Sequence, residues 1–183
     1  MNRLLLASSI LAISAVTPTL ALAQAANPNG GTITINGEIT AQTCKIENGS
    51  GDITVTLPKI AAGRMQAAQT AGATRFMIRL TECEPNSGGV RAFFEHSTGV
   101  TAEGRLTNLA TGTAATGVQV ELFNITNDNQ INIGATADTQ NTDFVDIATG
   151  AATLSYGARY YRTAPTVTAG LVRAQAVYSL NYR

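Results

Sequence analysis

The sequence predicts an all-β sandwich. Apolar residues recur at every second position in short runs, the period of a strand with one buried face. Clusters of Gly, Asn, Asp and Thr separate those runs at short intervals, as turns between antiparallel strands do. Long runs with helical spacing are scarce. The chain contains no internal repeat and no interdomain linker, so one folded domain is expected.

The chain opens with Arg3, an apolar run from Leu4 to Val16, and then Ala21, Leu22 and Ala23. A basic start, a short apolar core and a small-x-small site mark a secretory signal peptide. Cleavage is expected after Ala23, with Ala25 as the alternative. Pro18 and its flanking threonines interrupt the run before it can span a bilayer. The predicted divisions are 1–23 for the signal peptide, 24–41 for an amino-terminal extension and 42–183 for the domain. The product is expected to be secreted or periplasmic.

Gln24–Gly31 is a polar, Asn/Gly-rich and flexible lead-in. Thr32–Ala41 alternates as a strand, with Ile33, Ile35, Gly37 and Ile39 on one face. Thr32, Thr34, Asn36, Glu38 and Thr40 form the other face. A glycine inside a strand gives up packing and costs conformational entropy, which close approach of another surface commonly offsets. Ile53, Val55 and Leu57 alternate in the next strand, which Pro58 ends. The Ala-rich stretch Ile60–Gly72 has room for one short helix or turn. Further strands are expected at Arg75–Leu80, leading to Cys83, and at Val90–His96, which holds Phe93 and Phe94. Val118, Val120 and Leu122 mark another, and Ile131–Ile133 a short one. Thr107–Gly117 and Thr126–Asn141 read as loops. Gly157–Thr163, with Tyr160 and Tyr161, is the penultimate strand.

The last strand, Leu171–Arg183, has the longest alternation. Val172, Ala174, Ala176, Tyr178, Leu180 and Tyr182 form its apolar face. The alternation runs to Arg183, and no following strand is expected beside it. A free main-chain edge on such a strand invites pairing with another chain.

Charges are sparse, with 12 Lys and Arg against 12 Asp and Glu. No basic stripe points to nucleic acid. Cys44 and Cys83 are an isolated pair, which in an exported protein is most simply one disulfide. No metal site or cofactor is expected, because His96 is the only histidine and a metal needs more ligands. An enzyme is not expected. His96 reads as an exposed strand-end residue, and oxidised cysteines are not nucleophiles. Asp143 with Asp146, or Glu82 with Glu84, would make a carboxylate pair, but acidic loop residues are usually solvated. Asn124–Thr126 fits a glycosylation pattern by chance.

Together the two ends of the chain resemble the subunits of chaperone–usher pili, specifically the type 1 fimbrial major-subunit (pilin) group. Tyr182 is penultimate, Leu180, Tyr178, Ala176 and Ala174 alternate before it, and Gly170 stands fourteenth from the end. Gly30–Ile39 has the form of the family's amino-terminal extension, with Gly37 in register among the isoleucines. Cys44 follows shortly after, and Cys83 lies at the family's spacing. Leu80–Cys83, Gly117–Val120 and Gly157–Tyr161 are also similar to stretches of these subunits. One departure is that Ala174 and Ala176 are small for groove-lining positions.

The resemblance implies an incomplete immunoglobulin-like sandwich lacking its last strand. It implies a donor strand made of Ile33, Ile35, Gly37 and Ile39. It also implies an acceptor groove walled by Gly170, Val172, Ala174, Ala176, Tyr178, Leu180 and Tyr182. The implied partners are identical or related pilin subunits joined head-to-tail, a periplasmic chaperone and an outer-membrane usher. The implied product is a cell-surface fimbria used in adhesion. The rival reading is a secreted carbohydrate-binding or adhesin module. Such sites often use exposed aromatics, yet the chain has no Trp and only five Tyr and five Phe.

Overall fold

The computed structural model describes residues 33–37, 43–47 and 49–183. The expected signal peptide, the lead-in Gln24–Gly31 and Ile39 lie outside the described residues. Residues 33–37 belong to a unit of their own, Met1–Glu38, distinct from Ile39–Arg183. They form no regular strand, and Ile33 and Ile35 are exposed.

Among its described residues the larger unit holds eight strands and one short helix. These are β1 (Thr43–Ile46), α1 (Ala62–Ala67), β2 (Thr70–Glu84), β3 (Gly89–Glu95), β4 (Leu106–Thr107), β5 (Val118–Asn124), β6 (Val145–Asp146), β7 (Ala152–Arg162) and β8 (Val177–Tyr182). One sheet has the order β1-β2-β7-β5-β4, and the other β6-β3-β8. All the strand pairs are antiparallel. The two inner faces meet in one core. Ile78 and Leu80 of β2, Leu122 of β5 and Leu154 and Tyr156 of β7 face Val90, Ala92 and Phe94 of β3. Every second residue of these strands faces inward, because successive side chains point to opposite faces.

The edges of this framework are closed in different ways. β1 and β4 are very short, which limits the open ladder they present. The Cys44–Cys83 disulfide ties β1 to β2 across a sequence separation of 39. One side of β3 is covered by β6 and, beyond it, by a buried side chain. Gln140 is fully buried, accepts a bond from the Phe94 amide at 2.6 Å and donates to the Phe94 carbonyl at 2.8 Å. Its amide thus replaces one residue of a neighbouring strand. Arg91 is buried on the outer face of β3, where it donates to Asn181 Oδ1 at 3.0 Å and stacks on Phe144.

Several expectations differ from this architecture. Ile131–Ile133 is not a strand, although Ile131 and Ile133 are buried. Their loop packs apolar side chains without a ladder, and alternation reports only the packing. Residues 51–57 alternate in burial as expected, yet they form no ladder with any described strand. The last strand pairs only from Val177, and its first half is extended with one isolated bridge at Leu171. β2 and β7 extend beyond the expected Arg75–Leu80 and Gly157–Thr163. The short helix within Ile60–Gly72 is present as α1.

The disulfide closes a loop whose chain entropy corresponds to about 4 kcal/mol. Cys44→Ser is therefore expected to lower subunit stability by about 2–5 kcal/mol and to reduce its yield. Denaturant unfolding and cell-fraction yield check this, and unchanged values for both would refute a structural bridge. A second prediction concerns Tyr156, which accepts a bond from the Ala92 amide at 3.0 Å. Burial pushes its hydroxyl up to about 12. The unfolded chain releases this proton near pH 10, while the folded chain holds it until about 12. The contribution is complete below pH ~10 and is lost as pH rises through the folded value. Spectrophotometric titration should show one tyrosine ionising only as stability falls.

Candidate functional site

The candidate site lies along the second edge of β8, opposite the edge that pairs with β3. Gly89 and Arg183 exchange both backbone bonds, at 3.1 and 2.9 Å. That reciprocal pair fixes the phase of the antiparallel ladder. The odd-numbered residues from Val177 to Arg183 therefore direct their N–H and C=O groups toward β3. The same phase continues upstream, where the Arg173 carbonyl accepts from Leu109 and the Leu171 carbonyl from Ala115. The even-numbered residues direct theirs to the other side, where no described strand pairs with them.

The side chains of these even positions point at the core. Val172, Ala174, Ala176, Tyr178, Leu180 and Tyr182 are half-buried and pack against the buried cluster, while the odd positions from Leu171 to Ser179 are exposed. Opposite them runs a second extended segment, residues 51–57. Its Ile53, Val55 and Leu57 are also half-buried on the same cluster, and Asp52, Thr54 and Thr56 are exposed. Two extended segments thus flank an incompletely covered edge of the core.

At one end the two walls are joined. The Tyr182 hydroxyl accepts from the Cys44 amide at 3.0 Å, and the Tyr178 hydroxyl donates to the Gly51 carbonyl at 2.8 Å. Burial, and then the nearby Asp52 carboxylate, raise the Tyr178 pKa above the ordinary tyrosine value. The hydroxyl is thereby kept protonated as a donor. At the other end the walls part around a cleft of about 270 Å³, whose apolar lining includes Ile60, Met65, Val118, Val167 and Val172. Gly170 stands at its rim. A Cβ there would lie 2.3 Å from the Ala115 nitrogen, so the backbone approach excludes any larger residue.

The residues of the expected groove therefore share one face, with Gly170 acting through close packing rather than alternation. Ile33, Ile35 and Gly37 are exposed, and a Cβ on Gly37 would meet nothing within 4 Å. The second wall, Ile53, Val55 and Leu57, was legible as an alternating run but not as part of a site. The cleft residues Ile60 and Met65 carry no sequence signal, because the cleft joins segments far apart in the chain. The candidate catalytic groups occupy ordinary positions. His96 is exposed beyond β3, Glu82 pairs with Lys45 at 2.6 Å, and Asp143 accepts from Asn124 at 2.8 Å.

Comparison with known proteins decides the family. The model of the fimbrial protein family matches residues 33–183. The chain belongs to the fimbrial protein family. The major fimbrial subunit SMF-1 of Stenotrophomonas maltophilia strain K279a is 39% identical over 166 residues, covering 86% of this chain and 95% of that one. The type-1 fimbrial protein A chain of Escherichia coli K12 is 31% identical over 183 residues, covering 97% of each. Among solved structures, a subunit of a chaperone–usher pilus matches with a TM-score of 0.59 at 19% identity, covering 86% of this chain and 99% of that one. This fimbrial subunit has the all-β, incomplete immunoglobulin-like pilin fold. Its role is structural, as one pilin among others in a cell-surface fibre, and the family is not an enzyme family.

The hydroxyl link between the walls is testable. Tyr178→Phe removes one hydrogen bond worth about 0.5–1.5 kcal/mol net. The isolated subunit should melt a few degrees lower, at about 2–4 °C per kcal/mol. An unchanged melting temperature would show that the Gly51 bond contributes nothing.

Proposed function

We propose that this subunit polymerises by donor-strand exchange, with residues 24–41 as donor extension and residues 42–183 as acceptor domain. The observation that carries this reading is the coincidence of two needs along residues 172–182. The even backbone groups lack a ladder, and the even side chains lack a full cover. An extended strand with an apolar residue at every second position meets both needs at once. Chaperone–pilin complementation is a recognised case of such strand addition.

Ile33, Ile35, Gly37 and Ile39 supply the matching pattern. Their side chains enter between the two walls while the backbone of Thr32–Thr40 completes the ladder. Each buried isoleucine contributes about 1.5–3 kcal/mol. A one-residue slip would instead present Thr34, Asn36 and Glu38 to the core, so register is strongly specified. One donor and one acceptor per chain make a head-to-tail contact, which propagates into a fibre. Residues 1–23 direct export to the periplasm. There a chaperone covers the free edge, and an outer-membrane usher passes each subunit to the growing fibre.

Ile35→Asp is expected to abolish donation while leaving the subunit able to accept a strand, because it places a charge in an apolar groove. Gly37→Leu is expected to fold with its chaperone but to polymerise poorly. Electron microscopy of sheared surface fibres checks both. Normal fibres from either variant would remove the basis for the donor assignment.

A further inference from the structure

We propose that Arg173, with Lys59 at the same cleft end of the groove, reads Glu38 of the incoming copy and so sets the direction and register of strand entry. This rests on the donor-strand reading above. Glu38 carries the one charged side chain between Gln24 and Ala41. It falls on the polar phase of the extension, so it faces outward when the isoleucines face the core.

The charges along the groove are unevenly placed. At the cleft end, Arg173 and Lys59 are exposed, and neither has an ion-pair partner among the described residues. Lys59 lines the cleft together with Val172, and no carboxylate lines it. At the joined end two carboxylates lie near Tyr178, while Lys45 and Arg183 farther along are each held in an ion pair, with Glu82 and Asp146. Asp52 lies close enough to Tyr178 to act on its hydroxyl, and Glu95 accepts a bond from Ser179 at 2.6 Å.

Geometry then fixes the phase of the pairing, and the charges choose among the registers it allows. The even residues of the acceptor direct both side chains to the core and backbone groups to the free edge. In an antiparallel insertion they pair with the odd residues of the donor. Placing Ile39 opposite Val172, beside the cleft, aligns Gly37 with Ala174, Ile35 with Ala176 and Ile33 with Tyr178. The small Ala176 thus leaves room for Ile35. In this register Glu38 stands directly opposite Arg173. That position is a non-hydrogen-bonded pair, where facing side chains approach most closely. Parallel insertion, with Ile33 at the cleft and Gly37 opposite Ala176, would carry Glu38 to Val177, beside Asp52 and Glu95. Like charges there oppose it.

An exposed pair adds little affinity. Its larger effect is on encounter rate and on rejecting the wrong register. The test is the growth rate of fibres from full-length mature subunits carrying Glu38→Arg, Arg173→Glu or both. At low salt each single variant should grow about 3- to 10-fold slower. The double variant should return to within about twofold of the natural rate, and the differences should shrink in high salt. Single variants at the natural rate, or a double variant no faster than the slower single, would overturn the proposal. Glu38→Arg leaves the acceptor unaltered and carries the test if Arg173→Glu proves unstable. Ile35→Asp run in parallel separates the two readings. If it adds normally, donor-strand exchange itself fails. If it is blocked while the charge variants grow normally, only the register assignment fails.

Discussion

A backbone amide at the edge of a sheet can be satisfied by water, but an apolar side chain beside it cannot. Residues 172–182 impose both conditions at every second position. Their N–H and C=O groups, which no described strand pairs, lie along the free edge, and their half-buried side chains lie over the core. Whatever completes the ladder must therefore also cover the core. This constraint restricts the occupant to an extended chain with period-two apolarity. A small ligand or a helix meets one condition and leaves the other unmet.

The rest of the fold keeps that edge distinct from all the others. β1 and β4 are too short to offer a long template, and the Cys44–Cys83 disulfide pins β1 to β2. β3 is closed on its far side by β6 and the Gln140 amide, so its one strand-length pairing among the described residues is with β8. Tyr178 holds the second wall through Gly51, and Tyr182 ties β8 to β1 through Cys44, at a fixed end of the groove. The cleft at Val172 remains open at the other end. The groove is thus asymmetric in shape and in charge, with cations at its open end. Asymmetry of this kind lets one strand direction be preferred, which a uniform apolar slot could not do.

The long alternation from Val172 to Tyr182 was legible in the sequence because it survives whether or not a ladder forms. For the same reason Ile53, Val55 and Leu57 were misread. The pattern reports which face is buried and not whether the backbone is paired. Ile131 and Ile133 misled in the same way, as a buried loop. β1, β4 and β6 have four, two and two residues, too few for any period to emerge. Gln140 looked like an ordinary loop residue, since nothing local reveals that its amide will stand in for a strand. The cleft needed the fold itself, because it brings Ile60 and Met65 to Val167 and Val172.

Donor-strand exchange requires that the free edge of residues 172–182 be paired by another copy of the chain in the fibre. Amide hydrogen exchange, resolved by residue, measures this directly. In the freshly refolded monomer the amides of Val172, Ala174, Ala176, Tyr178 and Leu180 should exchange quickly, while those of Ser179 and Asn181 are protected by β3. In the fibre both sets should be protected, together with the amides of Ile33, Ile35 and Gly37. Even-numbered amides that exchange as fast in the fibre as in the monomer would contradict the account.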